Sequence, residues 1–429
     1  MFVKEKIETL EEKLIIFSTF LFALSIPISV ALDNVAAGIG ILGLILLFIS
    51  GKVYPLPPLK KFTFLLTPQV LETLLRTPSK VFKTDLNQHF IPYFTVYKTL
   101  TLKSNYLHKL LNVLVISSCL LAFSVIFEAF TWQNIKHINF DTLSFHTNII
   151  RSKGFLDNAL TTGGVLYLLL VLFLGFFLLL RKKRFLFSAI FLFLALLLCG
   201  SRSYWVGFSI FISLVILWIL FSRKKIKDLL FITLPIIIIG SVFLSTPLLK
   251  HRLYSIIDVK TNGSNMIRLA LWRAHLKAFS YHYSFKEKFF GAGYKASEYA
   301  WKEYPESVKE IFGREFKEER LKKIFFGGLT HNIYLKYLTK YGIIGLLGYL
   351  AFWGFIFHEN LKRKNQTDYK VLINTLLAGY VGFLIAGFFE NNFTDAEVQF
   401  ALMFVLGVNF FLLNFSGKVR DERYKKEPK

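Results

Sequence analysis

Residues 165–180 read VLYLLLVLFLGFFLLL, and residues 185–199 read FLFSAIFLFLALLLC after the basic run RKKR. Uncharged runs of about this length are typical of helices that cross a bilayer, because about 20 apolar residues span its hydrocarbon core. The whole chain of 429 residues is 54% hydrophobic and 17% aromatic. A soluble protein of this size carries more charge and fewer long apolar runs. The sequence therefore predicts a polytopic membrane protein.

Ten apolar segments are clear candidates for membrane spans: 14–32, 34–50, 110–130, 159–180, 185–200, 204–221, 228–248, 332–357, 371–390 and 397–414. Two weaker pieces, 62–75 and 86–102, are shorter and interrupted by charge. They fit either short spans or helices that lie in the membrane interface. The favoured prediction is an all-α fold with about 12 transmembrane helices, ten clear and two weak.

The formal net charge of +24 gathers largely in short loops between the spans, at 181–184, 222–227 and 358–370, and in the tail 418–429. Basic loops of membrane proteins face the cytoplasm, so both termini are predicted to be cytoplasmic. Anionic lipids explain most of this charge, and nucleic acid is not expected as a partner. Both cysteines, Cys119 and Cys199, lie inside apolar runs and form no disulfide framework or metal-binding spacing.

The chain divides into an N-terminal transmembrane bundle (1–248), a large helical loop on the outer side (249–330), C-terminal transmembrane helices (331–415) and a basic cytoplasmic tail (416–429). A loop of some 80 residues without structure would be unusual. Within it, Ser264 is predicted to cap a helix that carries Arg268, Trp272, His275 and Phe279 on one face. A second helix is predicted along 306–325, with Val308, Phe312 and Phe316 as its apolar stripe.

Three arginines on the predicted outer side are candidate anion ligands. Arg202 lies in a tight turn between two spans, where Ser201 and Ser203 add donors; the alternative is an arginine that reaches for lipid headgroups. Arg268 is expected in the first turn of its helix, where free backbone N–H groups and a guanidinium suit a phosphate. Its alternative is a surface arginine stacked on a tryptophan. Arg151 precedes another span and is the third candidate.

His331 is the candidate general base. If Thr330 caps the following helix, His331 occupies the first helical position, where the helix dipole disfavours imidazolium and leaves a ring that accepts a proton. The alternative is a histidine that only anchors the helix at the interface. Asn332 is a candidate to orient the ring or a substrate hydroxyl. Glu390 ends another span on the same side and is predicted to fix an arginine or the histidine, or only to contact headgroups.

Motifs for nucleotide, zinc-protease and serine-hydrolase chemistry (Walker, GxGxxG, HExxH and GxSxG) are missing from the sequence. The first outer loop offers only Asp33 with Asn34, and the nearest acidic pair, Asp395 with Glu397, lies on another turn. Metal-dependent sugar transfer needs carboxylates to hold the ion. No metal and no cofactor are therefore predicted, and arginines are expected to neutralise any phosphates.

Four segments in this order resemble the O-antigen ligase family, which is related to the O-antigen polymerases. They are RSKGFLDNALTTGG (151–164), GSRSYWVG (200–207), the outer loop with Arg268, Trp272 and GAGYKASEY (291–299), and HNIYLKYLTKYGIIGLLGY (331–349). The resemblance covers roughly 110–410. It implies an enzyme of the bacterial inner membrane that moves a glycan from undecaprenyl diphosphate to a lipid A-core sugar on the periplasmic face, without a metal and with inversion.

The resemblance also implies residue roles. Arg202 and Arg268 would hold the diphosphate, and His331 would activate the acceptor hydroxyl. The predicted substrate-binding residues are Arg151, Asn332, Trp272, Ser201, Ser203 and Glu390. Three alternatives stay open: an O-antigen polymerase using the same donor, an O-linked protein glycosyltransferase, and, in a different class, a transporter of lipid-linked oligosaccharides. Transporters usually show internal repeats and broken helices around a midplane site, and no repeat is visible here.

Overall fold

A computed structural model describes residues 9–51, 88–139, 142, 144–146, 150–221, 226–327 and 330–415. Every regular element within these ranges is helical, which confirms the all-α prediction for the described part of the chain. The weak segment 62–75, the basic residues 222–225 and the tail 416–429 lie outside the described residues.

The first eight helices are α1 (Leu10–Ser25), α2 (Val30–Ile49), α3 (Ile91–Leu102), α4 (Tyr106–Thr131), α5 (Ala159–Leu180), α6 (Lys183–Leu198), α7 (Arg202–Phe221) and α8 (Ile226–Leu244). The 249–330 segment contributes most of α9 (Pro247–Ile257), α10 (Gly263–Tyr281), α11 (Phe285–Phe290), α12 (Lys295–Phe312) and α13 (Glu318–Gly327). The last three are α14 (Ile333–Arg363), α15 (Lys370–Ala386) and α16 (Ala396–Asn414). Short 3₁₀ turns lie at Gln88–Phe90, Ile135–His137 and Asn392–Thr394.

Six of the described helices are long and apolar enough to cross a membrane: α2, α4, α5, α7, α14 and α16. Helix α15 is apolar but shorter. Each of the ten clear spans predicted from sequence overlaps a helix, and the 159–180 segment matches α5 residue for residue. Several apolar helices of this kind support a multi-pass membrane protein, while the count of twelve spans and their orientation stay predictions.

Within the second weak segment, 86–102, the described residues 91–102 form the helix α3, which lies inside the bundle. Its side chains Tyr93, Val96 and Leu100 are buried, and it packs against α1 and α16. With 12 residues it is about 18 Å long, since an α-helix rises about 1.5 Å per residue. That length is short of the roughly 30 Å hydrocarbon core, and whether this segment spans the membrane stays a prediction.

Helices α5 and α16 form the centre of the bundle. Nearly every side chain from 161 to 178 and from 398 to 413 is buried. A helix that is hydrophobic on all sides is stable only where other helices surround it. The uninterrupted apolar sequence of these two helices therefore explains their central position.

Close packing of α7 against α15 brings two distant parts of the chain together. A Cβ atom on Gly207 would lie 2.6 Å from the carbonyl oxygen of Gly382, so only glycine allows the backbones to approach this far. The hydroxyl of Tyr167 also donates to the carbonyl of Gly379 at 2.7 Å. The first residue of α7, Arg202, thus comes to lie near the residues that follow α15.

Helix α14 is kinked at Gly342, where φ is 73° and ψ is −172°. This backbone conformation is essentially restricted to glycine. The kink separates an outer piece, 333–341, from the apolar remainder of the helix. It also packs against the end of α11: a Cβ on Gly342 would overlap the carbonyl oxygen of Phe289 and lie 2.5 Å from the nitrogen of Gly291.

The Gly342→Ala variant is therefore expected to lower the free energy of unfolding by about 1–3 kcal/mol from backbone strain alone, and further through the overlap. A matched control is Gly354→Ala on the same helix, where a Cβ meets no atom within 4 Å. Thermal unfolding in detergent should show a lower Tm for the first variant and an unchanged or higher Tm for the second. Equal Tm values for the two variants would contradict the strained kink.

The 249–330 segment has its own small core, in which α10 packs on α12. Alanines 270, 274 and 278 of α10 face Ala296, Ala300 and Tyr304 of α12, with Leu321 and Phe325 of α13 beside them.

Two details of this segment differ from the sequence prediction. The cap of α10 is Asn262, whose side chain accepts from the Asn265 nitrogen. The second predicted helix is broken at Gly313, where φ is 66°, so Phe316 lies between two helices.

His275 lies in this core, stacked on Phe325 with ring centroids 6.2 Å apart. Burial lowers the pKa of His275 from 6.5 to about 4, because the interior disfavours the charged ring. The unfolded chain therefore binds a proton between pH 6.5 and 4 that the folded chain does not. Stability falls as the pH drops through this window, by about 3 kcal/mol in total at 1.36 kcal/mol per pKa unit.

The His275→Gln variant is expected to lose this part of the pH dependence. Chemical unfolding at pH 7 and pH 4.5 measures it, as the difference between wild type and variant at each pH. The wild type should lose more stability than the variant on acidification. An identical loss for both proteins would show that His275 is not buried in the neutral form.

Candidate active site

Glu390 joins the candidate arginine and the candidate base. Its buried carboxylate accepts from Arg268 Nη2 at 2.8 Å and from Ser203 Oγ at 3.3 Å through Oε1, and it contacts His331 Nδ1 at 3.3 Å through Oε2. The sequence left open whether Glu390 fixes the arginine, the histidine or only headgroups; it contacts both side chains. Since a carboxylate only accepts hydrogen bonds, the contact assigns the proton of a neutral His331 ring to Nδ1 and leaves Nε2 as an acceptor.

His331 has a left-handed backbone, with φ of 48°, which is uncommon for a residue with a side chain. The predicted cap at Thr330 is wrong. The N-cap of α14 is Asn332, whose side chain accepts from the Leu335 nitrogen at 2.9 Å, so His331 lies just before the helix. Asn332 thus uses its side-chain oxygen for the cap, not for the histidine ring.

The turn after α15 holds this strained segment in position. The Asn391 side-chain oxygen accepts from Thr330 Oγ1 at 2.9 Å and from the Asn332 nitrogen at 3.2 Å. The Ile333 nitrogen donates to the carbonyl of Gly387 at 2.9 Å. Strained backbone persists only where its surroundings fix it, and such residues cluster at functional sites. The position of His331 therefore depends on the 387–391 turn.

Arg202 is anchored on the segment that leads into α10. Its Nη1 donates to the carbonyl and the hydroxyl of Ser255 at 2.8 and 2.9 Å, and its Nη2 donates to Ser264 Oγ at 3.2 Å.

Arg268 is the sixth residue of α10, so the expectation that it lies in the first turn is wrong. Arg268 thus presents a guanidinium fixed by Glu390, without the free N–H groups of a helix N-terminus.

Two further arginines lie beside the 200–202 turn. Arg151 Nε donates to the carbonyl of Cys199 at 3.1 Å, and Arg252 Nη1 donates to that of Gly200 at 3.4 Å. Burial, together with the nearby Arg151, lowers the pKa of Arg252 below its ordinary value. The buried Nε of Arg252 has no hydrogen-bond partner among the described residues.

Sequence reasoning missed Arg252 and its neighbour His251. The signal was the run Lys250, His251, Arg252 on the side where short loops were otherwise poor in cations. These residues lie on α9, directly after a predicted span. From the sequence alone, their charge is therefore explained as that of basic residues at the end of a membrane helix. Only the packing of α9 against α7 shows that they face the other arginines.

Four arginines and two histidines line one cleft of about 540 Å³, here called the arginine cleft: Arg151, Arg202, Arg252, Arg268, His251 and His331. A neighbouring apolar groove of about 170 Å³ shares Arg202 and Arg268 with it. The rest of the groove is mostly apolar, with Val206, Ile256, Val259, Leu269, Trp272 and Phe389 in its wall. The shared arginine pair therefore lies where a polar space meets an apolar one, which suits an anion attached to a hydrocarbon chain.

Residues 187–350 match the family model described as O-antigen ligase. The match runs from α6 to the kinked helix α14 and includes the 249–330 segment. The matched residues include Arg202, Arg252, Arg268 and His331, whereas Arg151 and Glu390 lie outside them. The resemblance inferred from the sequence is thereby confirmed, and it supports an enzyme of the ligase and polymerase superfamily. No curated protein matches the chain.

The other predicted residues of the ligase-family site surround the cleft in different ways. Trp272 forms part of the groove wall and donates from Nε1 to the Thr330 carbonyl at 2.8 Å. Ser203 borders the groove and supports Glu390, as described above. Ser201 is fully buried, and its hydroxyl lies 3.2 Å from that of Ser203. It supports the turn from behind and does not line the arginine cleft.

Carboxylates are scarce around this cleft. In the described ranges, no group of three or more His, Cys, Asp or Glu side chains is arranged to hold a metal ion. Asp395 is the next acidic residue after Glu390 in the sequence. It accepts from Thr161 Oγ1 at 2.6 Å and, as the cap of α16, from the Val398 nitrogen. The positive charge of the site comes from guanidinium groups held in place by hydrogen bonds.

Proposed function

We propose that this protein is an O-antigen ligase-type glycosyltransferase. It moves a glycan from undecaprenyl diphosphate to a sugar hydroxyl of lipid A-core, without a metal and with inversion of the anomeric centre. The observation that supports this most is the buried Glu390, which contacts both Arg268 and His331 at the edge of a cleft that three further arginines line.

The donor is assigned to the arginine pair. The diphosphate lies against Arg202 and Arg268, and the polyprenyl chain leaves through the apolar groove that the two residues share with the cleft. The glycan occupies the larger polar space. Negative charge grows on the leaving diphosphate in the transition state, and guanidinium groups fixed in advance stabilise it by about 1.5–3 kcal/mol for each charge-assisted hydrogen bond.

The acceptor is activated by His331. Its Nε2 takes the proton of the acceptor hydroxyl as the oxygen attacks the anomeric carbon. The bond between that carbon and the phosphate oxygen breaks on the opposite face, and the electron pair leaves with the diphosphate. The imidazolium formed is stabilised by Glu390, in the way that a carboxylate supports the histidine of a hydrolase triad. One displacement of this kind inverts the anomeric centre.

The orientation is part of the proposal: the arginine cleft faces the periplasm of a bacterial inner membrane, and both termini are cytoplasmic. The basic loops 181–184 and 358–370 support it through the positive-inside rule. A cysteine placed at the exposed Glu298, with Cys119 and Cys199 replaced, tests it. It should react with a membrane-impermeant maleimide from the periplasmic side of intact cells, and protection from the reagent would contradict the orientation.

Single-turnover transfer by the purified protein tests the reaction. The donor is an undecaprenyl-diphosphate glycan, the acceptor is lipid A-core, and a chelator is present throughout. Transfer to lipid A-core that resists the chelator supports the proposal. Lengthening of the lipid-linked glycan instead would identify a polymerase, and binding of the donor without transfer to either acceptor would identify a transporter.

A further inference from the structure

A second cavity, of about 240 Å³, lies on the other side of the segment 330–332. It opens between α10, α12 and the outer piece of α14, and we call it the lysine cavity. The side chains used below are those of His275, Ser297, Thr330, Lys336, Lys340 and Asn391. The reaction proposed above uses none of this space. Its volume is below the roughly 300–1,000 Å³ of pockets that enclose drug-sized ligands, which limits the occupant to about one sugar unit.

Two buried polar groups in the wall of this cavity lack partners. His275 is 5% exposed and Asn391 is 6% exposed. Neither the Nδ1 atom of His275 nor the Nδ2 atom of Asn391 has a hydrogen-bond partner within the described ranges. The amide orientation of Asn391 is fixed, because its oxygen accepts from Thr330 and Asn332. Buried polar groups are nearly always paired, and these two unpaired groups belong to residues that line one cavity.

The charge of the cavity defines the ligand further. Lys336 and Lys340 are one helical turn apart on α14 and lie along the same wall. Lys336 Nζ donates to Thr394 Oγ1 at 2.7 Å, and Lys340 Nζ lies 5.0 Å from the centre of the Tyr341 ring. Among the described residues, no carboxylate lines the cavity. Burial keeps the pKa of His275 at about 4, so the histidine contributes hydrogen bonding and the lysines contribute the positive charge.

Hydroxyl groups complete the wall. Ser297 and Thr330 supply the short-range donors and acceptors that sugar hydroxyls need. We propose that the lysine cavity binds an anionic sugar unit of the acceptor, one that carries a phosphate or a carboxylate. The assignment to the acceptor rests on the proposed function. His331 lines the arginine cleft that is assigned to the donor, and its neighbour Thr330 lines the lysine cavity, so the base is placed between the donor and the acceptor unit proposed here.

Binding in the cavity also acts on the base. A ligand that accepts from Asn391 Nδ2 holds the side chain whose oxygen fixes Thr330 and Asn332, on either side of His331. Asn391 in turn follows Glu390 directly. Occupation of the lysine cavity therefore stabilises the position of His331, and an acceptor without the anionic group loses this contribution along with its binding contacts.

Binding and transfer are measured with two pairs of probes. The first pair is a lipid-free phosphorylated core oligosaccharide before and after phosphatase treatment. The second pair is a uronic-acid oligosaccharide in its native and its carboxyl-reduced form. The proteins are wild type, Lys336→Gln, Lys340→Gln, Lys340→Arg and the control Lys309→Gln, whose lysine pairs with Glu315 at 2.7 Å away from the cavity. The Lys→Gln variants of the cavity should bind the anionic probe about tenfold more weakly. Lys340→Arg and Lys309→Gln should bind it like wild type.

The proposal is supported if wild type prefers the anionic probe and both Lys→Gln variants bind the anionic and neutral probes equally. The pair of probes that shows this result identifies the anionic group as phosphate or carboxylate. Equal binding of all probes by all proteins overturns it, even where transfer by wild type stands. Competition by inorganic phosphate as strong as that by the oligosaccharide overturns the sugar assignment. Binding that depends on the lysines, in a protein that transfers glycan to no acceptor, keeps the site and rejects the proposed reaction.

Discussion

His331→Ala is expected to lower the single-turnover rate constant of glycan transfer by about 10²–10⁴-fold, the contribution of a positioned general base. Donor binding should stay unchanged, because the diphosphate is assigned to the arginines and not to the imidazole. Glu390→Gln should fall between wild type and His331→Ala. It keeps a hydrogen-bond acceptor beside Nδ1 but removes the negative charge that stabilises the imidazolium.

A control variant separates a chemical role of His331 from a structural one. His282→Ala serves as the control, since His282 contacts Glu303 at 2.7 Å in the 249–330 segment, away from the arginine cleft. A wild-type rate in His331→Ala, or an equal loss in the control, would remove His331 from the reaction.

Arg268→Ala is expected to weaken binding of undecaprenyl diphosphate by about 10- to 150-fold. One charge-assisted bond contributes about 1.5–3 kcal/mol, and 1.4 kcal/mol corresponds to a factor of ten. The same change leaves the buried Glu390 beside His331 and Ser203, without its arginine partner. Removing one partner of a buried ion pair costs about 3–5 kcal/mol of stability, so the variant should also show a lower Tm.

Arg268→Lys distinguishes charge from geometry. A lysine keeps the charge, but it lacks the planar fork that binds Glu390 and a phosphate at once. We therefore expect it to recover part of the Tm and little of the donor affinity. Arg273→Ala on the same helix is the matched control, because Arg273 pairs with Glu310 on α12. Donor affinity measured by titration in detergent should be unchanged there. Full affinity in Arg268→Ala would contradict the assignment of the donor.

The limits of a helix could be predicted where the residues that set them are close together in the sequence. The limits of α5 were correct because its apolar run is continuous and Asn158 caps it through its side chain, which accepts from the Leu160 nitrogen. The first span was predicted at 14–32, but α1 ends at Ser25. Pro27 and the hydrogen bond from Ser25 to Asp33 turn the chain there. Ile26 and Ile28 keep this turn hydrophobic enough for the apolar run to continue through it.

The site was predictable in its residue types and not in its contacts. Arginine, histidine and glutamate at helix ends are recognisable from the sequence, whereas Arg252 escaped because its role depends on which helix α9 packs against. The cap of α14 illustrates the same limit. Thr330 and Asn332 are both good capping residues, and the choice was made by Asn391, which binds the Thr330 hydroxyl and the Asn332 nitrogen.

The sequence by itself determined a helical membrane protein and a resemblance to the O-antigen ligase family, because apolar periodicity and short motifs are local properties of the chain. Only the tertiary structure decided that Glu390 contacts Arg268, 122 positions away, and His331, 59 positions away. A buried carboxylate is stable only with partners that compensate its lost hydration. Close packing of α7 on α15 and the fold of the 249–330 segment bring those partners to it.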